Sequence, residues 1–249
     1  MKEVYLAYFD FMGFKQFIQN NEDEILMRRM GHIFRDIEIS LGKGKYQEPK
    51  NGKILADLSE SKINCLNISD TVLFWTNTCT QEDLLELVEV AYSFNWREIG
   101  YNFPLRGSIV RGNIRVVSGK NENQNGGSYS VQCLYGKGLV VAHDIAEAQE
   151  WAGSILNENI VEDLNSFKEG KEFLEKNTVK YNVPFKNEVY KEYSAFKLKQ
   201  GKLNEEALKN TLKAVDDVFS QDKKSIDHEN VQLKIHNTKK FIEYTKDVN

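Results

Sequence analysis

No apolar run in this sequence approaches the roughly 18 residues that a membrane-spanning helix needs, so none is expected. Neither the opening MKEVYLAYFD nor any later stretch reads as a signal peptide. Cysteine is scarce: Cys65, Cys79 and Cys133 are an odd number without metal-ligand spacing. With no export signal they read as reduced thiols, and the expected location is cytoplasmic, away from any membrane. Neither sign of charge dominates. The formal net charge of −4 speaks against nucleic acid as the main partner. It does not speak against a nucleotide, which needs only a local positive site. Internal repeats and low-complexity segments are absent too. A chain of 249 residues, 41% hydrophobic, suits one large domain or one domain with an extension.

What is present is organised around residues 1–14, MKEVYLAYFDFMGF. Val4, Leu6, Tyr8 and Phe9 are apolar, and no polar residue falls between Tyr5 and Asp10, which reads as a strand buried on both faces. It ends in Asp10, followed by Phe11-Met12-Gly13-Phe14 and a helical pattern. A carboxylate at a strand end beside a helix N-terminus can hold a divalent cation, and the helix N–H groups can receive the phosphates it brings. Asp70, in ISDTVLFW, sits at a turn between two apolar runs, a tight hairpin. Two aspartates so placed can hold two cations a few Å apart, as in-line phosphoryl or nucleotidyl transfer requires.

Further along, apolar spacings of three and four predict helices from Phe14 and from Ile25 to Leu41. Strands are expected at about 53–58, 63–69 and after Asp70. Thr80 with Asp83 opens another helix. Strands at Leu105–Val117 and Ser128–Tyr135, a helix through Trp151 and a short strand at Ser154–Leu156 follow. The order describes an α+β domain, one layer of helices on an antiparallel sheet. Residues 185–249 add a strand from Val189 to Lys199 and helices at 203–220 and 228–245, an extension packed on the domain of residues 1–184. Lys234, Lys239 and Lys240 read as a solvated face, and Asn237-Thr238 as a polar contact to the domain.

YFDFMGF resembles the first metal motif of class III nucleotidyl cyclases, and ISDTVLFW the second. LRGSIVRGNI is similar to their central strand, and YGKGLVVAHDIAEAQEWAGSI to their dimerisation and catalytic segment. AEAQEWAG and KIHNTKKFIEYT resemble in particular the pyrimidine cyclases of bacterial Pycsar anti-phage defence. The resemblance implies a ferredoxin-like cyclase fold, a homodimer, a nucleoside triphosphate substrate and two Mn²⁺ or Mg²⁺ ions on Asp10, Asp70 and the carbonyl of Phe11. Met12, Gly13 and Phe14 would lie against the nucleotide, with Gly13 letting the backbone approach the phosphates. A separate effector protein would respond to the cyclic product.

Two departures matter. The family's transition-state Asn and Arg fall, by offset from Tyr135-Gly136, on Val140 and Asp144. Arg111 and Lys137 are the expected substitutes; His143 reads as structural. Arg106 and Arg111, five apart on one strand, face opposite ways, and Arg111 is expected to face the site because Arg106 starts the strand. The base-reading positions hold Leu66 and Cys133, so neither purine code is complete. The expected activity is cyclisation of a pyrimidine nucleotide, UTP ahead of CTP. A purine cyclase and an inactive cyclase-like nucleotide-binding module are the alternatives.

Overall fold

The computed structural model describes residues 1–49, 54–122, 124–199 and 201–248. Strand β1 (Lys2–Phe11) lies inside the sheet. Tyr5, Ala7, Phe9 and Phe11 enter one core, and Val4, Leu6 and Tyr8 enter another on the opposite face. An unbroken apolar run is what a strand covered on both sides needs. Period two puts Asp10 in phase with Tyr8, on the second face, where the strand ends.

β1 pairs antiparallel with β3 (Thr71–Trp75) on one side and β4 (Leu105–Glu122) on the other. Beyond β3 lies β2 (Asn64–Ile68), joined to it by the turn Ser69-Asp70, with Ser69 left-handed at φ 55. Beyond β4 come β6 (Gly153–Leu156), β8 (Val189–Phe196) and β7 (Thr178–Phe185). β5 (Ser128–Tyr135) pairs with the outer half of β4.

The fold is α+β, but three expectations need correction. The sheet is mixed, because the chain returns through a crossover and lays β6 parallel to β4. Of the strand expected at 53–58, residue 53 lies outside the described residues, and the rest makes a single bridge, Ala56 to Tyr46. Helices cover both faces. α1 (Phe14–Asn20), α2 (Asp23–Leu41), α3 (Gln81–Tyr101), α5 (Glu158–Asn165), α6 (Lys168–Asn177), α7 (Glu205–Ser220) and α8 (Glu229–Thr245) contribute to the first core, and α4 (Lys137–Glu147) covers the second. α4 lies almost on the strand: a Cβ on Gly112 would stand 2.6 Å from the Cα of Gly138. α3 starts where Thr80 Oγ1 accepts from the Asp83 N–H at 3.2 Å.

The C-terminal residues are part of this body. The expected boundary at 184/185 falls inside β7, and β7 and β8 extend the same sheet through β6. Asn237 Nδ2 donates to the Glu150 carbonyl at 2.8 Å, and Thr238 Oγ1 accepts from the Ala152 N–H at 2.8 Å. Between these bonds the Trp151 ring meets Phe241, centroids 4.6 Å apart. Two segments distant in sequence, AEAQEWAG and KIHNTKKFIEYT, are thus the two sides of one contact. No described helix is long and apolar enough to cross a membrane.

Candidate active site

The β1–β3 register sets Asp10 opposite Thr71, and the Phe11 N–H donates to the Asp70 carbonyl at 2.8 Å. Both acids therefore stand at one end of the sheet and line one cavity of about 510 Å³. Arg106 is there as well, since β4 places it directly opposite Asp10. Its Nε donates to Asp10 Oδ2 at 2.8 Å, its Nη1 to the Glu147 carbonyl at 2.8 Å, and its Nη2 to the Glu147 carboxylate. Glu147 also accepts from Lys186 at 2.7 Å. Burial pushes the Asp10 carboxyl above its ordinary value; Arg106 opposes this, while Asp70 and Glu147 add to it.

Such a site fits a divalent cation. Asp10 and Asp70 offer hard oxygen donors, and a cation between them would offset the burial, and the lesser effect of Asp70, that raise the Asp10 carboxyl. Among the described residues no cluster of three or more His, Cys, Asp or Glu side chains is placed to hold a metal. Two carboxylates suffice where waters and substrate phosphates complete the shell, as is common for Mg²⁺. Phe11 lines the same cavity, together with Met12, Gly13 and Phe14. Gly13 needs its freedom: its φ of 78 opens α1, and an added Cβ would stand 3.0 Å from Lys224 Cδ.

Arg111 is not part of this cavity. The five-residue offset turns it to the face of Tyr5, where its Nη1 donates to both Asp163 oxygens at 2.9 and 3.0 Å. Arg106 takes the place expected for Arg111, because the first residues of β4, not its middle, lie beside the end of β1. Lys137 is exposed at the N-terminal end of α4, while Glu147 at the other end meets Arg106. Ten helical steps, roughly 15 Å, separate the two.

Leu66 lines a second cavity of about 480 Å³ with Tyr8, Ile68, Leu73, Val140 and His143; Asp70 borders both cavities. His143 packs edge-on against Tyr8, ring centroids 5.6 Å apart, and Asp144 sits 3.2 Å from its Nδ1. Cys133 is exposed on β5, opposite Val117 in the hairpin register, and lines neither cavity. Sequence reasoning missed Glu147, Lys186 and Lys224. Glu147 had a readable signal, an acid closing a helix, but the other two carry none without the tertiary contacts.

No family model and no curated protein matches the chain. Among solved structures it is similar to the guanylate cyclase domain of RhGC from Catenaria anguillulae in complex with GTP, with a TM-score of 0.48 and 11% identity over 78% of this chain and 96% of that one. It is similar to the adenylyl cyclase CyaB from P. aeruginosa, with a TM-score of 0.46 and 12% identity over 78% and 92%. A non-canonical dimeric guanylyl cyclase domain of the RhoGC fusion protein from Blastocladiella emersonii gives 0.47 and 13% over 78% and 93%. Likeness at this level leaves the chemistry to be read from the chain's own side chains.

Proposed function

We propose that this protein is a metal-dependent nucleotidyl cyclase that converts a pyrimidine nucleoside triphosphate, UTP ahead of CTP, to the 3′,5′-cyclic monophosphate and pyrophosphate. The observation that carries the reading is that Asp10, Asp70 and Arg106 share one cavity at the end of the central strands. Asp10, Asp70 and the Phe11 carbonyl would hold Mn²⁺ or Mg²⁺, which supplies Lewis acidity at the attacking hydroxyl and the leaving phosphates. Arg106 is placed to neutralise phosphate charge, and Gly13 gives the phosphates close access to the backbone. The ribose 3′-oxygen bonds to the α-phosphorus, and the bond from that phosphorus to the α,β-bridging oxygen breaks. Pyrophosphate takes the electron pair, and the hydroxyl proton passes to solvent.

The cavity around Leu66 suits the base. Its wall is largely apolar, and Leu66 offers no hydrogen bond to a purine edge. Cys133 and Lys137 would reach the nucleotide from a facing copy of the chain. Exposed Ile68, Val140 and Val141, on or beside the Asp10 face, support a homodimer. The cyclic product would act through a separate effector protein in defence against phage. Co-expression with that effector should protect bacteria, and Asp10→Ala should abolish the protection.

One observation favours a second reading, a binding module without turnover. Val140 and Asp144 offer no cation and no amide where the resemblance places the transition-state pair. Incubation with each of the four nucleoside triphosphates and Mn²⁺, followed by mass spectrometry for cyclic nucleotide and an assay for pyrophosphate, separates the readings. A cyclic pyrimidine product, absent with Asp10→Ala, is expected. A cyclic purine product would assign the purine alternative. Binding without any product would assign the module.

A further inference from the structure

The cavity that holds the two acids is closed on its far side by the C-terminal helices. Phe219 at the end of α7, Lys224 and Ser225 in the connecting turn, and Val231 and Lys234 of α8 form that wall. Lys234 stands 3.7 Å from Glu150. Lys224 is different. It is only 6% exposed, and its Nζ has no hydrogen-bond partner among the described residues. The ammonium lies 4.5 Å from the centre of the Phe103 ring. A ring face returns part of what an ammonium loses on leaving water, but not its hydrogen bonds. As mere packing, this position would be better served by an apolar side chain of the same length.

The backbone that delivers Lys224 is strained and firmly tied. Asp222 and Lys223 are successive left-handed residues, φ 59 and φ 56, and neither is glycine. Arg29 Nε donates to Asp222 Oδ2 at 2.8 Å. Asn21 and Asn20 donate to the Asp222 and Lys223 carbonyls at 2.6 and 2.9 Å, and the Ser225 N–H donates to Gln16 Oε1 at 2.9 Å. The surrounding bonds hold this backbone in place. The stem of Lys224 crosses Gly13, whose missing Cβ makes room for it.

We propose that Lys224 is a phosphate-binding residue of this cavity, so that the turn between α7 and α8 completes a site for a triphosphate chain. The inference rests on the reading that the cavity takes a nucleoside triphosphate. Asp10, Asp70 and Arg106 serve the sheet side of that chain. Lys224 lines the cavity from the extension side with its stem, and its ammonium, folded over Phe103, would swing off the ring to give its unused N–H groups to the outermost phosphate, one of the two that depart together as pyrophosphate.

The test uses inorganic triphosphate with Mn²⁺, titrated into the full chain by calorimetry. Wild type should bind. Lys224→Met should bind about ten- to a hundredfold more weakly, the worth of one hydrogen bond to a charged group. Lys224→Arg should retain most of the affinity. The melting temperature of Lys224→Met should equal or exceed that of wild type, so that the weaker binding is not a loss of fold. If Lys224→Met does not fold, Lys224→Gln is measured in its place with the same expectations. Wild-type affinity in the substituted protein, or no triphosphate binding by wild type, overturns the proposal. Lys224-dependent binding in a protein that cyclises no nucleotide would refute the cyclase reading and leave this one standing. Cyclisation with an unchanged KM in Lys224→Met would do the reverse.

Discussion

Arg106 donates its Nε to Asp10 Oδ2 at 2.8 Å across the β1–β4 ladder. The two are direct cross-strand partners, and opposite charges so placed attract. The same guanidinium holds the Glu147 carbonyl at the end of α4. One side chain therefore neutralises the acid that would bind a cation and ties the helix of the second face to the central strands. A cation arriving at Asp10 must compete with Arg106.

Arg106→Met should lower stability, by about 3 kcal/mol, because it leaves a largely buried carboxylate without its partner. Mn²⁺ should raise the melting temperature of this variant more than that of wild type, since nothing then competes for Asp10. Turnover should fall about 10²- to 10³-fold, as when a donor to developing phosphate charge is removed. Melting curves with and without Mn²⁺ test the first two expectations. An equal Mn²⁺ response in both proteins would show that Asp10 does not take the cation.

Asp10→Ala and Asp70→Ala should each reduce turnover by at least about 10³-fold, near 4 kcal/mol of transition-state stabilisation. Neither should unfold the protein: Asp70→Ala relieves repulsion on Asp10, and Asp10→Ala loses the Arg106 bond but leaves that guanidinium on Glu147. Steady-state rates and thermal melts on the same preparations decide this. Near-wild-type turnover in either variant with a normal melt would remove the metal assignment.

Much of this was legible because β1 is buried on both faces. An apolar run that stops at a single acid is visible without any partner strand, and so is the hairpin at Asp70. Register was not legible. Whether Arg106 or Arg111 meets Asp10 depends on which residue of β4 stands opposite the end of β1, and no local pattern encodes that pairing. The same holds for β6, whose parallel run beside β4 follows from a crossover rather than from its own four residues. Lys224 lay furthest from reach. It comes to Gly13 across more than two hundred residues of chain through bonds to Asn20, Asn21 and Arg29.

Glu98, on the last turns of α3, should give stability a distinct pH dependence. It is fully buried, no side chain among the described residues bonds its carboxyl oxygens, and only the Phe103 backbone N–H approaches them. Burial raises its carboxyl well above the ordinary value; Asp36 adds to this, while Arg29 and Arg35 oppose it. Between the unfolded value, near 4.5, and the raised folded value, the native state keeps a proton that the unfolded chain has lost. Stability from this group therefore falls as pH rises through that window. Glu98→Gln removes the dependence. Melting temperatures from pH 5 to pH 8 should show the variant gaining on wild type as pH rises, and a constant difference would refute the assignment.

Val140 is 58% exposed on α4 and Ile68 is 57% exposed beside Asp70, so an apolar patch borders the candidate site. Lys137 stands too far along α4 to serve Asp10 of its own chain, yet a two-fold partner could bring its Lys137 across. Val140→Asp should then convert a dimer to a monomer and abolish turnover with both metal acids intact. The monomer should melt normally, because the replaced side chain faces outward. Chains carrying Asp10→Ala and chains carrying Lys137→Ala should each be inactive, but mixed and allowed to exchange they should recover activity. Half of the resulting dimers are mixed, and each has one intact composite site of two, so recovery should approach about a quarter of the wild-type rate. Arg111→Ala, facing Asp163 on the other side of the sheet, should need no such rescue. Light scattering and rates on the mixtures read both outcomes. A monomeric wild type that turns over, or exchanged mixtures that stay inactive, would place the whole site within one chain.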